Sequence, residues 1–259
     1  MLVDSHCHLN YPGLAERQDE VLTAARGRGV GAFLNISTRQ SEWGDILGTA
    51  ERHPDVWASI GVHPHEADAH PDLGASALIE ASAHPRVIGI GECGLDYFYD
   101  KSDRQAQRDR FKAHIEAARE TGLPLIVHTR EAEEDTAGIL EAAVAEGGVT
   151  GVLHCFTSSA ELARKALDIG FYISLSGIVT FKNARDLQEV ARELPSDRIL
   201  VETDAPFLAP VPNRGKTCEP AFVADTAAFV AQLRGDSVET LAEATTRNFY
   251  RLFSRAVPA

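Results

Sequence analysis

Eight short apolar runs, rich in β-branched residues, recur along the chain, and each is followed by a longer segment of helical composition. The runs are Leu2 to His6, Ala32 to Ile36, Val56 to Val62, Val87 to Glu92, Leu125 to His128, Gly151 to His154, Phe171 to Leu175 and Ile199 to Glu202. Between them, Glu16 to Arg28, Ser41 to Arg52, Leu73 to Ala83, Arg104 to Glu120, Glu133 to Glu146, Ser159 to Asp168 and Ala184 to Leu194 read as helices. This alternation is the pattern of a parallel sheet wrapped by helices. Eight βα units predict a (β/α)8 TIM barrel, for which 259 residues is an ordinary length, so residues 1–259 are expected to form a single domain. The alternative is an open doubly wound sheet, which gathers ligands at one switch point and does not draw residues from many strand ends.

Polar residues placed at the strand ends favour the barrel. His6 and His8 lie two apart, so on a strand both imidazoles project from one face and can share an ion. Alone, such a pair is equally well explained as surface or hydrogen-bonded core histidines. Glu92, His128, His154 and Asp204, however, interrupt or follow four further runs in the same way. Together the six place nitrogen and oxygen ligands at the C-terminal mouth, where barrel active sites lie. Six ligands exceed the four of a closed structural zinc site, and they suit two divalent ions sharing a bridge with positions left open for water. Two such ions lower the pKa of a shared water to about 7 and hold both attacking and departing oxygens, which brings ester hydrolysis within reach. Histidine-rich ligation suits Zn, whereas carboxylates and a phosphate substrate also suit Mg or Mn.

The remainder of the composition narrows the partners. A formal charge of −13 repels nucleic acid at long range and excludes a protein that coats duplexes through a broad basic surface. No apolar run approaches the roughly 20 residues of a membrane span. Leu2 and Val3 open the first run with no basic n-region or long h-region, so a cytoplasmic location is expected. Cys7, Cys93, Cys155 and Cys218 lack zinc-ribbon spacing and read as free thiols. The first three adjoin proposed ligands and should face away from them, towards the packed helices. After Glu202 a Pro-rich stretch, Ala205 to Pro220, reads as a loop over the site, followed by closing helices near Ala221 to Leu233 and Val238 to Phe253.

Longer motifs sharpen this reading. Asp4-Ser-His6-Cys-His8, Gly61-Val-His63-Pro-His65, Gly91-Glu92-Cys-Gly94-Leu95-Asp96-Tyr97, His154-Cys-Phe156 and Glu202-Thr-Asp204-Ala-Pro206 resemble, in order and nearly end to end, the TatD family of metal-dependent deoxyribonucleases. The resemblance implies an amidohydrolase-like barrel in which Glu92 bridges two ions. His6, His8 and Asp204 would complete one metal, and His128 and His154 the other. It also places Asp204 beside the nucleophilic water, to orient it or take its proton, and His63 near the substrate; His65 reads as a cap of the next loop. Arg130, Arg214 and Lys216 are candidate phosphate contacts, against surface or loop charge as the plainer explanation. Thr217, Cys218 and Ser158 depart from the wording usual in the family, whereas every metal position is intact. The expected reaction is hydrolysis of DNA phosphodiesters from single-stranded or frayed ends, with RNA as a further substrate. The alternative is a carboxyl ester or amide, including aminoacyl-tRNA esters. No protein partner can be inferred.

Overall fold

The computed structural model describes residues 1–257, so Pro258 and Ala259 of the expected 1–259 unit lie outside the described residues. Each apolar run is a strand: β1 Leu2–Cys7, β2 Val30–Asn35, β3 Val56–Ile60, β4 Val87–Asp96, β5 Leu125–Arg130, β6 Gly151–Leu153, β7 Tyr172–Leu175 and β8 Ile199–Val201. They pair in sequence order, all parallel. Helices α1 Gln18–Gly27, α2 Trp43–Arg52, α3 Ala75–Ser82, α4 Arg104–Thr121, α5 Glu133–Ala145, α6 Ala160–Asp168 and α7 Arg185–Glu193 provide the crossovers. Two more, α8 Val223–Arg234 and α9 Val238–Leu252, follow β8.

Closure decides between barrel and open sheet. Just beyond β8, the Asp204 N–H donates to the His6 carbonyl at 2.9 Å and the His8 N–H to the Ala205 carbonyl at 2.8 Å. Asp4 reinforces this seam, accepting from the Thr203 hydroxyl at 2.6 Å and the Thr203 N–H at 2.9 Å. Ser5 donates across it to the Val201 carbonyl at 3.0 Å. Burial outweighs these bonds and pushes the Asp4 pKa up to about 8. The ring is therefore closed by polar groups withdrawn from water, where each bond is worth most and an unpaired group is most costly.

Apolar residues from every strand fill the interior: Val3, Ala32 and Leu34, Trp57, Ile88, Ile126, Val152, Tyr172 and Leu200. Phe249 and Leu252 of α9, with Phe253, pack against this layer. The Asn248 amide donates to the Ser196 and Ile199 carbonyls, both at 2.9 Å, and Thr246 to the Met1 carbonyl at 3.0 Å. Those carbonyls lie where β8 and β1 begin, so α9 plugs the N-terminal end and leaves the C-terminal mouth for chemistry.

The strand ends differ from expectation in instructive ways. β4 runs past Glu92 to Asp96 because Gly94, at φ +127°, keeps it paired with His128; a Cβ there would clash with the His128 carbonyl oxygen. β6 and β8 stop earlier than their runs. Cys155 and Asp204 turn through the left-handed region, at φ 43° and 59°, a conformation worth about 1–3 kcal/mol of strain for a residue with a side chain. Such turns redirect side chains that continued strands would send into the barrel wall.

His114 of α4 fixes the loop after β3. Its Nε2 accepts from the Val62 N–H at 2.9 Å, so its proton sits on Nδ1 and is donated to the Arg110 carbonyl at 2.7 Å. Burial pulls its pKa down from 6.5 to about 4. A depressed folded-state pKa means that the unfolded chain binds more protons between these values. The stabilisation is complete above pH 6.5 and is lost as pH falls towards 4, by about 3 kcal/mol. Urea unfolding of the protein and of His114→Gln between these pH values should give a smaller pH-dependent loss in the variant. Equal losses would show that His114 does not carry this term.

Candidate metal centre

Around a cavity of about 460 Å³ at the C-terminal mouth lie His8, Glu92, His128, His154 and Asp204, with His6 wholly buried beneath. The structure thus brings the six expected ligand residues together. The two oxygens of Glu92 face different sets of imidazoles. Oε2 is 3.5 Å from His6 Nε2 and 3.9 Å from His8 Nε2. Asp204 Oδ1 is 3.6 and 3.3 Å from the same two nitrogens, which are themselves 3.3 Å apart. Oε1 instead is 2.8 Å from His154 Nε2 and 3.4 Å from His128 Nδ1.

This donor set fits divalent ions. A tetrahedral site with bonds of about 2.0–2.1 Å has ligand-to-ligand edges of about 3.3–3.4 Å. The separations on the Oε2 side fall close to that. The histidine protons agree, because three of the rings have an acceptor at the far nitrogen. His8 Nδ1 donates to the Ile36 carbonyl at 3.3 Å, His154 Nδ1 to Glu202 Oε1 at 3.3 Å and His128 Nε2 to Asp96 Oδ2 at 3.0 Å. Each bond keeps one proton on the far nitrogen and turns the near nitrogen to Glu92 or Asp204, where an ion would take the place of its proton, as ligating histidines require.

The electrostatics favour a cation. Burial alone would raise the pKa of Glu92, but His154, His63 and His128 outweigh it and hold the carboxyl well below the usual range. Burial likewise opposes charge on His154, yet Glu92 and Glu202 raise its pKa well above that of free imidazole. At Asp204 burial is overcome by His8 and His6, so this group is a carboxylate at neutral pH. Positive charge, whether proton or metal, is therefore stabilised between these carboxylates.

His63 has a different place. Its ring stands 3.3 Å from Glu92 Oε1, close enough to group with Glu92 and His128 around an ion. Its Nδ1, however, accepts the His65 N–H at 3.0 Å, so the neutral ring carries its proton on Nε2. Burial keeps it neutral, with a pKa down at about 4. His63 is consequently a hydrogen-bond donor facing the cavity, which fits a substrate contact better than a metal ligand.

Other expectations are corrected. His63, and not His65, caps the turn that follows, while His65 Nε2 pairs with Asp96 Oδ2 at 2.9 Å. Cys7 and Cys93 are buried in the apolar core, whereas Cys155 lines the cavity, because the chain leaves β6 before it and turns left-handed. Arg130 lines the cavity and enters no ion pair among the described residues. Arg214 and Lys216 do not line it. The Arg214 guanidinium lies 3.7 Å over the Phe181 ring, and Lys216 Nζ donates to Asn213 Oδ1 at 3.2 Å. From that loop it is Phe207 and Leu208 that reach the cavity. Sequence reasoning assigned no role to Glu202 or Asp96, the carboxylates behind His154 and His128. Both sit within the quoted motifs, two before Asp204 and four after Glu92.

A closed (β/α)8 barrel with a carboxylate set between two groups of imidazoles at its mouth is the frame of a metal-dependent hydrolase. The comparisons make the class specific. The model of the family described as TatD related DNase matches residues 3–254, and the chain belongs to that family. It is 46% identical over 256 residues to the metal-dependent hydrolase YcfH of Escherichia coli K12, covering 97% of the chain and 95% of the relative. It is 35% identical over 259 residues to the 3'-5' ssDNA/RNA exonuclease TatD of Erwinia tasmaniensis, covering 98% and 100%. The crystal structure of the TatD homologue YJJV of Escherichia coli K12 superposes with a TM-score of 0.92 over 98% of each chain, at 28% identity.

Carboxylates that orient ligating histidines are worth about 10–100-fold in metal affinity. Glu202→Gln and Asp96→Asn should each weaken divalent-ion binding by that factor, measured by competition with a chromogenic chelator. Unchanged affinity in both would remove their orienting role.

Proposed function

We propose that this chain hydrolyses phosphodiester bonds at single-stranded or frayed ends of DNA, and of RNA, with two divalent ions held at the barrel mouth. The observation that carries the reading is the division of Glu92, whose Oε2 faces His6 and His8 and whose Oε1 faces His128 and His154. His6, His8, Glu92 and Asp204 would hold one ion, and Glu92, His128 and His154 the other. When bound, Zn, Mg or Mn would supply an activated water and neutralise charge on the phosphate.

The chain's own groups do the rest. Asp204, ionised and partly open to the cavity, orients the attacking water and takes its proton. The His63 Nε2–H, which stands 3.3 Å from Glu92 Oε1, donates a hydrogen bond to a non-bridging phosphate oxygen. Arg130, which has no ion-pair partner among the described residues and faces the same cavity, offers guanidinium donors to another. The relative from Erwinia tasmaniensis, a 3'-5' exonuclease of single-stranded DNA and RNA, supports this substrate class. No helix among the described residues is long and apolar enough to cross a membrane. All four cysteines are free, which fits a reducing, cytoplasmic setting.

Loss of several kcal/mol of transition-state stabilisation corresponds to about a thousandfold in rate. Glu92→Gln should therefore lower the hydrolysis of end-labelled single-stranded DNA by at least about a thousandfold, and a strong chelator should abolish wild-type activity until a divalent ion is restored. Chelator-insensitive cleavage, or a variant as active as the wild type, would overturn the site assignment.

A further inference from the structure

Large exposed hydrophobic side chains among the described residues include three aromatic rings, Phe98, Tyr99 and Phe207, each about half exposed. Single exposed apolar residues are ordinary, but these are not scattered. Tyr99 and Phe207 both line the cavity, and Phe98 packs edge to face on Tyr99 with centroids 4.8 Å apart. Their positions are also related. Tyr99 follows β4 and Phe207 follows β8, which lie four strands apart in a closed ring of eight and hence on opposite sides of the mouth.

Each ring is held in place. The Tyr99 and Phe98 N–H groups donate to Asp96 Oδ1 at 2.9 and 3.1 Å, and His65 packs edge-on to Tyr99 at 5.5 Å. The Arg130 guanidinium sits 4.2 Å from the centre of Phe98 and 4.9 Å from that of Tyr99. Across the mouth, the Phe207 N–H donates to the Asp204 carbonyl at 2.9 Å, and its ring meets Tyr11 edge to face at 5.9 Å. Ordering these rings in advance lowers the entropic cost of stacking on them.

We propose that Tyr99 and Phe207 form a two-sided base clamp, each stacking one of the unpaired nucleobases that flank the phosphodiester undergoing hydrolysis. The proposal rests on the nucleic-acid reading above and deepens it. A phosphodiester centred over Glu92 carries a nucleoside on either side, so its bases extend towards opposite rims, where one ring waits on each. The Arg130 cation beside the Tyr99 rim is free to meet the phosphate between them. Stacking needs only a π-face, so the clamp accepts every base. In a duplex both faces are already occupied, and the substrate must be single-stranded or frayed. No broad basic groove is then required, in keeping with the charge of −13.

Stacking one base on an aromatic side chain changes affinity by about five- to about a hundredfold when the ring is truncated. With the metal-loaded enzyme, kcat/KM is compared on a single-stranded oligonucleotide and on one whose terminal two nucleotides are abasic. The wild type should prefer the base-bearing end, and Tyr99→Ala or Phe207→Ala should each cut that preference by about tenfold, chiefly through KM. Tyr99→Phe and Phe207→Tyr should retain it. Independently, 2-aminopurine on either side of a non-cleavable linkage should be quenched on binding, and each alanine variant should relieve one of the two positions. Equal cleavage of both oligonucleotides by the wild type, or a preference and quenching unaffected by both truncations, would overturn the clamp while leaving the nuclease standing. A wild type that cleaves esters or amides but no nucleic acid would overturn the substrate reading, and the clamp with it.

Discussion

Everything at the mouth depends on one buried carboxylate. Glu92 is almost wholly withdrawn from water, an environment in which an isolated charge is costly, and it is ionised only because imidazoles surround both of its oxygens. Those imidazoles are in turn aimed by acceptors behind them: Ile36 for His8, Asp96 for His128 and Glu202 for His154. Removing Glu92 would take away the one carboxylate that faces all of these imidazoles at once, leaving Asp204 to His6 and His8, Glu202 to His154 and Asp96 to His128. The barrel tolerates so much concentrated polarity because each member is satisfied from at least one side. Two atoms of the cluster, His6 Nδ1 and Glu202 Oε2, are buried without a hydrogen-bond partner among the described residues.

A closed parallel barrel is what allows such a cluster to be assembled from distant sequence. Every strand points its C-terminal end to the same mouth, so residues from Asp4 to Asp204 converge without any long loop folding inward. The seam between β1 and β8 is both structural and functional. Asp204 N–H and His8 N–H make two of its bonds, and the side chains of the same residues face the ion site. A defect in closure would therefore displace ligands. α9 fills the opposite end with Phe249, Leu252 and Phe253, so that end is closed by apolar packing while the polar groups gather at the other.

The legibility of this architecture in the sequence follows from what periodicity encodes. Apolar runs report burial, and all eight strands were visible because a parallel strand is covered on both faces. The six candidate ligand residues stand out as polar residues at the ends of those runs. Less legible was anything set by where a strand stops. β6 ends at Leu153 and the chain then turns left-handed, which sends Cys155 into the cavity instead of into the helix layer. Glu202 and Asp96 lay inside recognised motifs, yet their task depends on the far nitrogen of a histidine contributed by another strand, which no local pattern shows. Charge alone does not place Arg214 or Lys216 at the cavity wall. A cation in a covering loop is as readily satisfied by a phenylalanine face or an asparagine as by phosphate, and here it is.

Net charge and local charge also separate at this mouth, and the separation bears on what can enter. The protein carries −13 overall, but the carboxylates nearest the cavity are engaged: Glu92 and Asp204 by the imidazoles, Asp96 by His65 and His128, and Glu66 by Arg39. Arg130, by contrast, has no acidic partner among the described residues and rests against aromatic faces. A long polyanion lying along the surface would be repelled over most of its length, and at physiological ionic strength that repulsion fades beyond about 8 Å. A flexible end that inserts one phosphate is exposed to the mouth's own field and little else. The same charge distribution that disfavours a duplex-coating protein thus favours one that admits chain ends one linkage at a time.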